Sequence, residues 1–170
     1  MLWAAMGDCM GFWKNKKLEE MSMEEWESLC DGCGRCCLVK MEEEETSLIY
    51  YTRLACEFLD LESGECRIYN ERFSNKTECL AIRDCLKNNP DWLPVSCAYR
   101  CLNEGRDLPS WHPLMQAPGV RLPRGIGVGD WAFSVRDMDL YSLDLEAHLI
   151  SFEGVDGSEV RLLEEDDDEI

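Results

Sequence analysis

The chain has 170 residues with 11 cysteines, and its 35 acidic against 17 basic side chains give a formal charge of −18. That charge repels phosphate backbones and anionic membrane surfaces, which argues against nucleic acid or membrane as a partner. The length suffices for one modest domain with a real core, so the cysteines are not needed merely to staple a tiny fold.

Residues 1–11 read as a loose N-terminal extension. They lack the order of a secretory signal, because Lys14, Lys16 and Lys17 follow the apolar residues instead of preceding them. No segment holds the roughly 20 consecutive apolar residues of a membrane-spanning helix. The expectation is therefore a reducing cytoplasm, where clustered cysteines mean metal or redox chemistry in place of disulfides.

Ser22 and Glu25 form a capping box that predicts a helix over Met23 to Leu29. Met23, Trp26 and Cys30 fall at i, i+3 and i+7 and predict one apolar face leading into the first cysteine. Glu42 to Glu45 is an acidic run of solvated surface. Strand formers at Leu48 to Tyr51 and at Cys66 to Tyr69, around the turn-like Glu62-Ser63-Gly64-Glu65, predict a small hairpin carrying Cys56 and Cys66. Thr77 is placed to cap a helix from Glu78 to Asn88, with Cys79, Ile82 and Leu86 on one face and Cys85 pointing elsewhere.

Pro94 opens a further helix that Gly105 closes, and along it Cys97 and Cys101 stand at i and i+4, on one face. Pro109 to Gly129 holds four prolines and four glycines and reads as an irregular wrap. Trp131 to Phe152 alternates loosely, as in a terminal hairpin. Glu164 to Ile170 is an acidic tail without the apolar surface to order itself.

The chemistry concentrates in Cys30-Asp-Gly-Cys33-Gly-Arg-Cys36-Cys37. Cysteines three apart on a tight turn can bring two thiolates to one ion, and Gly32 and Gly34 permit the positive backbone angles such turns need. Arg35 is placed to add positive charge that lowers the thiol pKa values. The run matches neither the paired knuckles of a structural zinc site nor the ferredoxin pattern, since Leu38 follows Cys37 where a proline would stand. Adjacent Cys36 and Cys37 cannot easily face one ion from a regular backbone, so they face different metals or only one of them ligates. Cys85 and Cys101 read as packed helix residues. His112, in Trp111-His112-Pro113-Leu114, reads as a packed, hydrogen-bonded imidazole with metal ligation as its rival, and His148 as a surface residue.

The run Trp26 to Cys37 resembles the opening of YcgN-type proteins, within the CxxCxxCC cysteine-cluster family of zinc or iron chelators. Further matches are Ile49-Tyr50-Tyr51, Ala55-Cys56, Cys66 to Phe73, Cys79, Trp92-Leu93-Pro94, Cys97-Ala98-Tyr99-Arg100 and Trp111-His112-Pro113-Leu114. The resemblance covers about Phe12 to Leu114. It implies a bacterial metal-binding protein of unassigned cellular role whose ligands are Cys30, Cys33, Cys36, Cys37, Cys56, Cys66, Cys79 and Cys97. A flagellin lysine methylase shares the four-cysteine motif, which keeps open an iron-sulfur protein acting in electron transfer or catalysis. A thiol redox sensor using Cys36 and Cys37 is the third reading.

The expectation is thus a small α+β domain, with short helices and a hairpin around a cysteine-ligated zinc or iron centre. Its organisation is an extension at 1–11, a metal-binding domain at 12–114, an irregular region at 115–163 that can form a hairpin packed on that domain, and a tail at 164–170. The metal ion is the expected partner, and a binding role is favoured over an enzymatic one.

Overall fold

The computed structural model describes residues 11–74, 79–153, 157 and 159–163. The fold is α+β: four short helices, α1 (Phe12–Asn15), α2 (Met23–Ser28), α3 (Ile82–Asn88) and α4 (Ala98–Asn103), stand beside one mixed sheet. The strands are β1 (Leu38–Glu42), β2 (Ile49–Ala55), β3 (Phe133–Ser134), β4 (Leu149–Glu153) and β5 (Glu159–Leu162). No helix among the described residues is long and apolar enough to cross a membrane.

The capping box at α2 is present. Ser22 Oγ accepts from the Glu25 amide at 3.2 Å and Glu25 Oε2 accepts from the Ser22 amide at 2.8 Å, which satisfies two amides that the helix start leaves without partners. Its buried side differs from the expected stripe. Trp26 and Leu29 are buried, whereas Met23 is 72% exposed. The helix is too short to bury three successive turns, so only its last turn meets the core.

The sheet corrects the expected hairpin. β2 pairs antiparallel with β1, not with 66–69, and the acidic run Glu42 to Glu45 lies at the turn between them. Between β2 and residue 74 the described residues make a single isolated bridge, Leu59 to Cys66, and Tyr69–Glu71 is a 3-10 turn. β2 is central: β1 lies along one edge, and β4 and β3 share the other. A bulge in β2 opposite Leu38 and Lys40 is closed by the buried Thr52, whose hydroxyl donates to Val39 O at 2.8 Å. β4 pairs antiparallel with β5, so residues past Leu114 extend the same sheet that receives the cysteine run.

Trp131 to Phe152 does not close the expected hairpin on itself, since β3 pairs with β2, and β4 with β2 and β5; the remaining differences lie in the helices. Helix α3 begins at Ile82 instead of residue 78, and Thr77 lies outside the described residues, as do 1–10 and 164–170. Helix α4 begins at Ala98, which leaves Cys97 as its cap.

Two apolar clusters frame the molecule. One joins α1, α2 and α4 through Phe12, Trp13, Trp26, Leu29, Ala98 and Tyr99. The other lies on the sheet and includes Leu38, Tyr51, Ala55, Leu59, Val128 and Ile150. The cysteine run passes from one to the other, anchored by the buried Leu29 before Cys30 and the buried Leu38 after Cys37.

Candidate metal centre

Between those anchors the backbone turns twice through the left-handed region, at Gly32 (φ 73°) and Gly34 (φ 75°), as the glycine spacing predicts. Gly34 is fixed for a second reason, because a Cβ there would lie 2.7 Å from Val128 Cγ2. The turns aim main-chain amides at sulfur: the Gly32 amide hydrogen-bonds Cys30 and the Arg35 amide hydrogen-bonds Cys33. Asp31 braces the loop by accepting from the Cys33 amide at 3.1 Å.

Cys30 lies at the surface, yet enough protein surrounds its sulfur to push its pKa up to about 11. Cys33 is buried with Trp111 and Ile126, and burial raises it well above the ordinary thiol range. The indole N–H of Trp111 is buried with no acceptor among the described residues, leaving one unspent donor in that cluster.

Arg35 has its guanidinium engaged elsewhere than its place in the motif implied. Its side chain is fully buried and reaches the C-terminal region, donating to Ile126 O at 2.9 Å, to Gly157 O and to Ser96 Oγ at 3.3 Å, over the Phe152 ring. Cations outside the motif bear on the cluster, Arg72 on Cys79 and, from β1, Lys40. Its ammonium donates to Cys36 O at 2.8 Å and Leu38 O at 2.9 Å, and its charge bears on Cys36, Cys37, Cys79 and Cys85. The sulfurs of Cys36 and Cys37 are 4.0 Å apart. The hydrogen bond between them, with lesser help from Lys40, lowers Cys36, while the same bond and burial raise Cys37.

The other cysteines arrive from four further segments. The Cys56 amide donates to Cys37 O at 2.9 Å where β2 ends. Cys66 follows on the bridge to Leu59, and Cys79 lies within electrostatic reach of Cys37, Cys56 and Cys66. Cys97, at the cap position of α4, is raised by burial, against a lesser lowering by the Arg100 and Tyr99 amides. Cys101 lies inside α4, whereas Cys97 stands at its cap. Cys101 is buried, donating to Val95 O at 3.4 Å and accepting from Arg106 at 3.2 Å. Cys85 is nearer the cluster than its helical position implied, within reach of Lys40 and Cys36. Cys9 is outside the described residues.

His112 is fully buried with both nitrogens engaged: Nδ1 accepts from the Leu114 amide at 3.1 Å, and Nε2 lies 3.0 Å from Leu29 O, to which it donates. His148 Nδ1 accepts from Arg53 at 3.2 Å. Among the described residues, no three His, Cys, Asp or Glu side chains already converge as an ion cage. The donor set nevertheless fits a soft or borderline cation: thiols from several segments, amides aimed at sulfur and the half-buried ammonium of Lys40. Asp31 was also overlooked, as a spacer inside the motif, although its charge reaches Cys30, Cys33, Cys36 and Cys97.

Residues 29–98 match the family model CxxCxxCC, described as "Putative zinc- or iron-chelating domain". The chain is 44% identical over 140 residues to a protein of Rhizorhabdus wittichii named UPF0260 protein, covering 82% of this chain and 93% of that one. A namesake in Granulibacter bethesdensis is 43% identical over 150 residues, 88% of either chain. Another, in Shewanella amazonensis, is 56% identical over 106 residues, 62% of this chain and 73% of its own. No solved structure matches.

Proposed function

This chain belongs to the UPF0260 family, and from that premise we propose that it is a zinc- or iron-binding protein of a reducing compartment. Its ligands on this reading are Cys30, Cys33, Cys36, Cys37, Cys56, Cys66, Cys79 and Cys97. The observation that carries the reading is the gathering of thiols from five chain segments around one glycine-turned loop whose amides point at sulfur. Packing alone gives no reason to assemble mutually interacting thiols beside a half-buried ammonium. A bound cation supplies Lewis-acid or, for iron, redox chemistry; the chain's own residues supply the sulfurs, orient them and hold compensating charge at Lys40 Nζ.

The test is anaerobic purification from a reducing cytoplasm followed by metal and acid-labile sulfide analysis. Stoichiometric zinc or iron is expected. A folded, metal-free protein with every thiol titratable overturns the reading. Colour separates the two metals: zinc leaves the protein colourless, and an iron-sulfur cluster makes it brown and bleachable.

A further inference from the structure

We propose that the ligand cysteines form two neighbouring metal centres divided at the Cys36–Cys37 peptide, with Cys30, Cys33, Cys36 and Cys97 around one ion and Cys37, Cys56, Cys66 and Cys79 around the other. The inference rests on the metal-binding reading above and adds the number of centres and the membership of each.

The backbone draws the line. Cys30 leaves α2 directly after Leu29, and Cys97 precedes α4, whose Ala98 and Tyr99 pack in the same cluster as Leu29. The Tyr99 hydroxyl donates to Trp26 O at 2.8 Å, and the two rings pack at 4.6 Å. The end of one helix is thereby tied to the start of the other, and Tyr99 feels both Cys30 and Cys97. Cys33 hangs from the same loop, fixed by the Val128 amide donating to Cys33 O at 2.9 Å.

The second group is built on the strand. Cys37 enters β1, its carbonyl accepts from Cys56 at the end of β2, Cys56 O accepts from Leu59 at 3.0 Å, and Leu59 bridges Cys66. Cys79 is supplied by the segment leading into α3.

Cys36 and Cys37 are the branch point. They sit in a 3-10 turn, Arg35–Cys37, where successive side chains diverge by about 120°. Cys36 interacts with Cys30, Cys33 and Cys97 and, across the divide, with Cys79, whereas Cys37 interacts with Cys56 and Cys79. Their 4.0 Å separation would by itself admit a shared ion; the remaining six thiols, lying three and three, decide the division. Neutral thiols have no cause to converge, and an ion would draw each group in by side-chain rotation. A divalent ion with four thiolates carries a net charge of about −2, and Lys40 lies where it faces both groups, through Cys36 on one side and Cys37 and Cys79 on the other.

The experiment is a cobalt(II) titration of the reduced, metal-stripped full chain, read by sulfur-to-cobalt charge-transfer absorbance, beside elemental analysis of the protein as purified. Two equivalents are expected by both measures. Cys33→Ala and Cys56→Ala should each keep one ion with about half the absorbance, and the double variant should keep none. Saturation of the unchanged chain at one equivalent overturns the division while leaving metal binding intact. So does a single substitution that releases both ions from a still-folded chain, the mark of one shared cluster. No bound metal in the unchanged chain by either measure overturns the metal-binding reading itself, and this inference with it.

Discussion

A buried imidazole can ligate a metal only while one nitrogen is spare, and His112 has spent both, on the Leu114 amide and the Leu29 carbonyl. The bond to Leu29 O holds the residue just before Cys30, so its task is to fix where the cysteine run starts. Replacing it by Phe keeps the bulk and strands two buried main-chain groups, at about 1–3 kcal/mol each. His112→Phe should therefore lower unfolding stability by about 2–6 kcal/mol while the folded fraction keeps its metal, as urea denaturation and metal per chain will read. A folded variant that loses an ion would make His112 a ligand after all. The packed imidazole was legible, because apolar neighbours on both sides call for a satisfied ring. The cation was not. Arg35 is next to the thiols in sequence, but the 3-10 turn swings its guanidinium into the C-terminal region, and the strand that follows brings Lys40 back onto the Cys36 carbonyl.

Elements that carry local chemistry were readable, and those that depend on a distant partner were not. The Ser22–Glu25 box marks the start of α2 because its two partners are three residues apart. β1 escaped notice because Lys40 and Glu42 interrupt its strand formers, and the pairing that stabilises it comes from β2. The segment between Cys56 and Cys66 is instead held by one side chain. Asp60 Oδ1 accepts from the Glu62 and Ser63 amides at 3.0 and 3.1 Å, and Oδ2 accepts from Arg67 at 2.8 Å. These bonds, the Ser63 amide foremost, hold the exposed carboxyl at about 2, below the ordinary 3.9 or so. A depressed folded-state pKa means that the bonds stabilise the turn fully above about pH 4 and lose that contribution as pH falls towards 2. Carbon-detected NMR should show Asp60 still charged at pH 3, where exposed carboxylates are mostly protonated. A midpoint near 4 in the folded chain would show that the turn does not depend on it.

At the scale of the whole molecule, the region after Leu114 is part of the scaffold of the cysteine run, although the family model ends at residue 98. Its weak periodicity hid this, since its contacts are made by main-chain groups that leave no pattern in the side chains. Val128 donates to Cys33 O and fills the space that Gly34 leaves, Ile126 and Gly157 accept from the buried Arg35, and β4 completes an edge of β2. Cutting the chain after Leu114 would leave a guanidinium in an apolar setting without these acceptors, a cost of several kcal/mol against a total stability of only about 5–15. The truncated chain should neither fold cooperatively nor retain metal, whereas ending it at Leu163 should change neither property, because every contact just named lies before that point. Circular dichroism melts and metal per chain on the two truncations test the contrast. Arg35→Lys offers a finer version of the same test. It keeps the charge but cannot fork to Ile126 O and Ser96 Oγ together, so it should destabilise the chain and loosen the metal while the surrounding sequence is intact. A 1–114 chain that folds and holds its full metal would show that the cysteine run needs no clamp.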